Sequence, residues 1–169
     1  KIDLNNEDIY ENIFHEGKWA GIFQFTEKGA QDFAKRAQPN SIIDIAAITS
    51  IYRPGPLSAN VDKQYVAAIN DTLSIEYLHP LVEEVTKETY GFLIFQEQIA
   101  MLAYKLGENI SMDEANLLRK VLTKKGTGKG HEVKEEIKKK FLVGCDKKEI
   151  PREDAEKLWA TFEYFSGYG

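Results

Sequence analysis

The apolar residues of the C-terminal half recur with the period of an α-helix, and this pattern limits the possible folds more than any other feature. Residues three and four apart lie on one face of a helix, so such a stripe must pack against another element to leave water. Three stripes have this spacing: Ile99, Leu102, Ala103 and Leu106; Val133, Ile137 and Phe141; and Ala155, Leu158, Trp159, Phe162 and Phe165. The sequence therefore predicts a mainly α domain of several packed helices.

The N-terminal half has a more interrupted pattern. Helical spacing is found in four segments, 6–15, 27–37, 41–52 and 60–70. Two aromatic and β-branched runs, 19–25 and 91–95, are short enough to be buried strands or apolar connectors. We therefore expect at most one or two short strands.

No feature of the sequence divides the chain into parts. Its 169 residues contain no repeat at the usual periods and no linker rich in Pro, Gly or Ser. The segment Arg53-Pro54-Gly55-Pro56 must end the helix before it, because each proline lacks an N–H and disfavours helical geometry in the preceding residue. We predict a single domain over residues 1–169.

Cysteine content and hydropathy indicate the compartment. Cys145 is the one cysteine, which excludes an internal disulfide, and with three scattered histidines it forms no zinc site of known spacing. No run approaches the roughly 18 apolar residues of a membrane span, and the N-terminus lacks a signal-peptide core. We expect a cytoplasmic protein without a membrane partner and without metal ligands of its own.

The charge distribution is strongly asymmetric. The net charge is −5, yet residues 115–131 carry five cations and no acidic residue. These cations, which we call the basic island, are Arg119, Lys120, Lys124, Lys125 and Lys129. The capping box of Ser111 and Glu114 predicts the start of a helix that carries Arg119 and Lys120, and the glycines at 126, 128 and 130 should then break it. The basic island suits a triphosphate or a nucleic-acid backbone, and a solvated lysine face is the alternative.

Amides and aromatic residues follow or fill the apolar runs. Gln24, Gln96 and Gln98 come directly after such runs, where an amide can orient a base, hold a loop or cap a helix. Most of the aromatic side chains are expected to pack in the core, although each could stack on a base. They are Trp19, Phe23, Phe25, Tyr90, Phe92, Phe95, Trp159, Phe162 and Phe165.

A carboxylate site for nucleotidyl transfer is missing from the sequence. Two-metal chemistry needs acidic side chains that converge on ions about 4 Å apart. No Asp-x-Asp occurs, and Asp154 and Glu156, two residues apart on a predicted helix, point to different faces. The chain therefore offers no complete active site, and we expect it to be inactive alone.

Five segments in order resemble one family, the family C replicative DNA polymerases, which contain the bacterial DNA polymerase III alpha subunit. Their order and spacing match across nearly the whole chain. They are Gly21-Ile22-Phe23-Gln24-Phe25; Tyr52-Arg53-Pro54-Gly55-Pro56-Leu57; Thr89-Tyr90-Gly91 through Phe95-Gln96-Glu97-Gln98; Leu117-Leu118-Arg119-Lys120 with Lys124-Lys125; and Phe165-Ser166-Gly167-Tyr168-Gly169.

The resemblance implies a mostly helical fingers region that receives the incoming dNTP and contacts the template-primer during chain elongation. It implies that Mg2+ is held by aspartates of a palm domain upstream of the segment matching Lys1. The implied partners are the other polymerase domains, the sliding clamp and further replisome subunits. The implied nucleotide-binding residues are Arg119, Lys120, Lys124, Lys125, Gly167, Tyr168 and Gly169, and the implied supporting or DNA-contacting residues are Gln24, Arg53, Gln96, Gln98 and Lys129.

Two departures from the family pattern accompany the resemblance. Lys120 stands where many members have a second arginine, which keeps the charge and loses bidentate geometry. Residues 25–30 differ from the usual Leu-Glu-Ser-x-Gly-Met.

In the family a polar segment follows the block matching Gly169, so we expect a trimmed chain, a split gene or an intein junction. The alternative function is a stand-alone helical module that binds nucleic acid or protein.

Overall fold

The computed structural model describes residues 2–53, 56–57, 60–123 and 128–166, with the backbone alone at 123, 128–129 and 165–166. The chain divides into two compact units. The first unit contains residues 1–75 and 88–92, and the second contains residues 76–87 and 93–169. This division into units does not test the prediction of a single domain over residues 1–169, which stays a prediction.

Four helical segments have defined bounds in the described part of the first unit, and residues 56–57 are helical as well. A short helix α1 (Glu7–Ile9) continues as a π-helix over Tyr10–His15, and α2 (Lys28–Ala37), α3 (Ile42–Ile51) and α4 (Val61–Ile69) follow. These bounds confirm the four helical segments predicted from spacing. Helix α3 ends at Ile51, just before the segment that begins at Arg53, as the two prolines require.

The core of the first unit encloses one carboxylate. Asp44 of α3 is buried, and its two oxygens accept hydrogen bonds from the Asn40 N–H at 3.0 Å and the Tyr65 hydroxyl at 3.4 Å. Burial, and then the negative charge of Asp44, raise the pKa of Tyr65 far above its usual value. The same causes raise the pKa of Tyr90 to about 12. Both hydroxyls therefore stay protonated, and can donate to Asp44, over a wider alkaline range than a free tyrosine.

The second unit is a helical bundle. It contains α5 (Pro80–Thr86), α6 (Gln96–Leu106), α7 (Met112–Thr123), α8 (Gly128–Lys147) and α9 (Arg152–Ser166). A 3-10 turn at Lys87–Thr89 follows α5, and its last two residues belong to the segment 88–92 of the first unit. The predicted stripes form its core. Leu102, Leu106, Phe141, Ala155 and Phe162 have no measurable exposure, and these side chains belong to three different helices. The mainly α prediction is therefore confirmed.

The runs 19–25 and 91–95 are connectors. Within the residues that the structure describes, neither run pairs as a strand. The backbone explains this, because φ is positive at Gly21 and Gln24 in the first run and at Tyr90 and Gly91 where the second begins. A left-handed residue interrupts extended geometry. The strand alternative for these runs was wrong, and the connector alternative is confirmed.

The helix that carries Arg119 ends at Thr123 and a separate helix begins at Gly128, in agreement with the predicted break, but the predicted position of two glycines needs correction. Helix α8 begins at Gly128, so Gly128 and Gly130 lie in a helix and not in an open loop. Glycine lowers helix propensity by only about 1 kcal/mol relative to alanine, which the apolar face of a 20-residue helix can offset. Residues 124–127 of the predicted loop lie outside the described residues.

No helix in the described part of the chain is both long enough and apolar enough to cross a membrane.

Candidate functional site

The basic island begins on α7, whose start is fixed by its own sequence. The Glu114 N–H donates to the Ser111 Oγ at 3.2 Å, and the Ser111 N–H donates to the Glu114 carboxylate at 2.8 Å. This reciprocal pair is the capping box predicted from the sequence, and it satisfies two N–H groups that a helix leaves unpaired. With the first turn fixed, Arg119 lies two turns further along α7, next to α6.

Arg119 is the best-defined cation of the basic island. Its Nη1 donates to the Glu97 carboxylate at 2.6 Å, and its side chain is only 27% exposed. Its Nε is buried and has no hydrogen-bond partner among the residues that the structure describes. The guanidinium is therefore largely fixed by packing, while part of its hydrogen-bonding capacity is unused.

The other predicted nucleotide-binding residues are described less fully. Lys120 follows Arg119 on α7 and is exposed. Lys129 lies in the first turn of α8, where the backbone alone is described. The remaining predicted positions, Lys124, Lys125, Gly167, Tyr168 and Gly169, lie outside the described residues.

The two glutamines at the start of α6 have different environments. Gln98 is 8% exposed, and its Oε1 accepts hydrogen bonds from the backbone N–H groups of Ile94 at 2.8 Å and Phe95 at 2.9 Å. Its amide nitrogen donates to the Val85 carbonyl at 3.4 Å. Gln98 therefore caps α6 and ties it to α5, whereas Gln96 is exposed. The direct DNA contact suggested for these residues stays a prediction.

Gln24 and Arg53 meet at a cavity in the first unit. The cavity has a volume of about 530 Å³, and Phe25, Glu27 and Tyr52 also line it. The Tyr52 hydroxyl donates to Glu27 at 3.3 Å and lies against Gly29, where an added Cβ would come within 2.3 Å of it. The structure thus brings two residues that are 29 positions apart in the sequence to one cavity, which has both polar and apolar walls.

Phe23 differs from the other predicted core aromatics. Its side chain is 84% exposed at the tip of the connector, whereas Trp19 stacks on Phe25 with ring centroids 5.5 Å apart. The prediction of core packing was therefore wrong for Phe23 and is confirmed for Trp159 and Phe162, which are fully buried. The positive φ of Gln24 turns the chain here, so that Phe23 and Phe25 have different environments.

Most other described cations of the second unit are engaged with carboxylates. Lys105 pairs with Glu84 at 3.0 Å, and Lys140 pairs with Glu114 at 2.5 Å. The hydrogen bond from Lys140 lowers the pKa of Glu114. Among the residues described, no three histidine, cysteine or acidic side chains are grouped so that they could hold a metal ion.

The sequence analysis did not identify three residues that contact Arg119 or line the cavity of Gln24 and Arg53. Glu97, Glu27 and Tyr52 become notable only through contacts with residues 22 to 25 positions away. The residues next to them in the sequence give no indication of such contacts. The short connection over residues 107–111 lets α6 and α7 pack against each other, and it is the one sequence signal that would bring Glu97 near Arg119.

Comparison with known proteins gives one family. The family described as the bacterial DNA polymerase III alpha subunit finger domain matches residues 1–155. Curated relatives named DNA polymerase III subunit alpha include that of Aquifex aeolicus, 33% identical over 168 residues, and that of Treponema pallidum, 36% identical over 168 residues. Each alignment covers 99% of this chain and 14% of the relative. That of Borreliella burgdorferi is 36% identical over 94% of this chain and 13% of the relative. The chain thus spans about one seventh of the length of these relatives.

Proposed function

The chain belongs to the family of bacterial DNA polymerase III alpha subunit finger domains, and we propose that it binds the incoming dNTP and the template-primer during DNA chain elongation. Arg119 and Lys120 bind the triphosphate in this proposal. Lys124, Lys125, Lys129 and residues 167–169 complete the nucleotide site. Gln24, Arg53, Gln96 and Gln98 support the site or contact DNA.

The environment of Arg119 is the observation that carries this proposal. A phosphate binder needs a positive group that is already oriented and has donors to spare, because ordering a mobile side chain costs entropy. Arg119 is mostly covered, and its Nε is buried without a partner in the described structure. A guanidinium offers five N–H donors in a planar fork that matches phosphate oxygens. Arg119 therefore meets the first requirement. The donors that a phosphate could reach are its terminal nitrogens, one of which holds Glu97, and not the buried Nε.

The contribution of these cations to catalysis is electrostatic. Phosphoryl transfer spreads negative charge over the phosphate oxygens, and the protein accelerates it mainly by positioning groups and offsetting that charge. In the proposal Arg119 and Lys120 hold the triphosphate oxygens while the chemistry takes place at the α-phosphate. Bound Mg2+ would supply the charge that activates the attacking and leaving oxygens, and we assign its ligands to a palm domain outside this chain.

The partners follow from the same proposal. A fingers domain acts with the remaining polymerase domains on a DNA template-primer, and the whole protein would be a DNA-directed DNA polymerase in the cytoplasm. We place the sliding clamp and other replisome subunits among its partners. These assignments are supported by family membership and by the fraction of the relatives that the chain spans.

The test replaces Arg119 by alanine in a full-length polymerase that carries this sequence. An arginine–phosphate pair is charge-assisted, so its loss should cost about 1.5 to 3 kcal/mol, or roughly one to two orders of magnitude in kcat/KM for dNTP. The matched control is Arg152→Ala on α9, which removes an arginine paired with Asp146 and Glu156. This control should leave kcat/KM within about twofold.

A second measurement separates nucleotide binding from DNA binding. If Arg119 contacts the DNA backbone instead, the alanine variant will bind the primer-template more weakly, with a shallower salt dependence and an unchanged KM for dNTP. If Arg119→Ala changes neither the kcat/KM for dNTP nor the affinity for the primer-template, both roles are contradicted. The basic island is then a solvated surface.

A further inference from the structure

The partner of Arg119 in this structure is itself an anion. The Glu97 carboxylate lies 2.6 Å from Arg119 Nη1, at the place where the proposed function requires a phosphate oxygen. We propose that Glu97 is a displaceable counter-ion of the nucleotide site, which occupies Arg119 until the triphosphate replaces it and so sets the affinity of the site for dNTP. This inference rests on the proposed function, because it assumes that Arg119 binds the triphosphate.

The two partners differ in how firmly they are held. The Arg119 side chain is 27% exposed, whereas the Glu97 side chain is 74% exposed. Arg119 is the one partner that Glu97 has among the described residues. When an ion pair breaks, the more exposed side chain moves at lower cost, since it loses fewer packing contacts. Glu97 is therefore the member that leaves, and Arg119 stays in position.

A comparison with Glu114 shows that this freedom is specific to Glu97. Glu114 also pairs with a cation, but its carboxylate accepts a second hydrogen bond from the Ser111 N–H, and its side chain is only 34% exposed. Displacing Glu114 would disrupt the cap of α7. Displacing Glu97 disrupts the ion pair alone.

The displaced carboxylate has a favourable destination. Glu97 lies in the first turn of α6, where the unpaired N–H groups and the helix dipole favour a negative charge. Leaving Arg119 therefore puts the carboxylate in water at a helix N-terminus and buries no charge. Breaking the ion pair costs little free energy, so a multiply charged triphosphate can displace the single carboxylate of Glu97 from Arg119.

The size of the effect follows from the exposure of the pair. Exposed ion pairs typically change an equilibrium by at most about fivefold. Removing the competing charge should therefore strengthen dNTP binding by about twofold to fivefold. A residue that merely orients Arg119 would give the opposite sign, because its loss would weaken binding. The sign of the change consequently decides between a competitor and a positioning residue.

The experiment uses a full-length polymerase carrying this sequence, with a defined primer-template and dATP as the probe opposite a template thymine. Glu97→Gln should lower the KM for dATP about twofold to fivefold and leave kcat within about twofold. Glu97→Asp keeps the charge but shortens the side chain by one methylene, so it should shift KM in the same direction. The matched control, Glu84→Gln, removes an exposed carboxylate that pairs with Lys105 at 3.0 Å, and it should not change KM.

The double variant shows whether the effect passes through Arg119. In the Arg119→Ala background, Glu97→Gln should have no further effect on KM. An unchanged or higher KM in Glu97→Gln alone would overturn the inference, as would an equal decrease in Glu84→Gln, which would indicate a general effect of net charge. If Arg119→Ala itself leaves both the KM for dATP and DNA affinity unchanged, the proposed function fails, whatever Glu97 does.

Discussion

Gly144 of α8 lies against the backbone of Gly107, which follows the last residue of α6. A Cβ added at Gly144 would come within 2.4 Å of the Gly107 carbonyl carbon and within 2.2 Å of the Leu106 carbonyl oxygen. The same approach allows the Glu108 N–H to donate to the Lys140 carbonyl at 3.0 Å. Only a residue without a side chain permits this distance between the two helices, so Gly144 determines how α6 and α8 pack.

We expect Gly144→Ala to destabilise the chain by about 1 to 3 kcal/mol or more, because the added methyl group meets backbone atoms that cannot move separately. The matched control is Gly130→Ala in the same helix, where an added Cβ would lie 3.4 Å from Val121 Cγ1. Alanine is the better helix former, so this control should stabilise the chain by up to about 1 kcal/mol. Urea unfolding of the two variants tests both signs, and equal effects would contradict the close approach.

Local patterns predicted most of the helices. The stripe through Leu102 and the capping box at Ser111 each depend on residues within one or two turns, and such signals can be read from one sequence. Gly144 gave no such signal, because its importance comes from α6, which is distant in the sequence. Gly130 was misread for a related reason: helix packing outweighed the weak propensity of glycine.

The candidate site was less accessible to sequence reasoning. The charge pattern identified Arg119, but its contact with Glu97 depends on the register between α6 and α7. Gln24 and Arg53 were identified by their motifs, whereas the cavity that joins them depends on a positive φ at Gln24. Non-local contacts and left-handed backbone positions have weak sequence signatures when glycine or asparagine is absent.

The two glutamines of α6 should separate a structural role from a binding role. Gln98→Ala leaves the N–H groups of Ile94 and Phe95 without their acceptor, so it should destabilise the chain by about 1 to 3 kcal/mol. Gln96→Ala changes an exposed residue and should shift stability by less than about 0.5 kcal/mol. Thermal unfolding by circular dichroism measures both. Equal stability of the two variants would show that Gln98 does not cap α6.

The pair formed by Glu114 and Lys140 should make stability depend on pH at the acidic end. The hydrogen bond from Lys140 lowers the pKa of Glu114 below its unfolded value. The ionised carboxylate therefore stabilises the fold above the unfolded pKa, and this contribution is lost as the pH falls through the folded pKa. The Tm should decrease between about pH 5 and pH 3, and it should decrease less in Glu114→Gln.

Lys140 gives the opposite dependence at high pH. The hydrogen bond to Glu114 raises the pKa of Lys140. The contribution of Lys140 to stability is thus complete below the unfolded pKa and is lost as the pH rises through the folded pKa.

The control for the prediction about Glu114 at acidic pH is Glu153→Gln, which removes a more exposed carboxylate paired with Lys157 on α9. If this control flattens the pH profile as much as Glu114→Gln, the assignment to Glu114 is wrong.

The last prediction is that the purified 169-residue chain extends no primer when Mg2+ and dNTPs are supplied. Two-metal nucleotidyl transfer needs carboxylates that converge on both ions. The nearest approach in the sequence, Asp154 and Glu156, does not converge, because Glu156 pairs with Arg152 at 3.2 Å while Asp154 lies 3.9 Å from Lys157. A gel-based extension assay, with a full-length polymerase as positive control, measures this. Mg2+-dependent extension that persists through repeated purification, and is lost in Arg119→Ala, would contradict the assignment of the metal ligands to another domain.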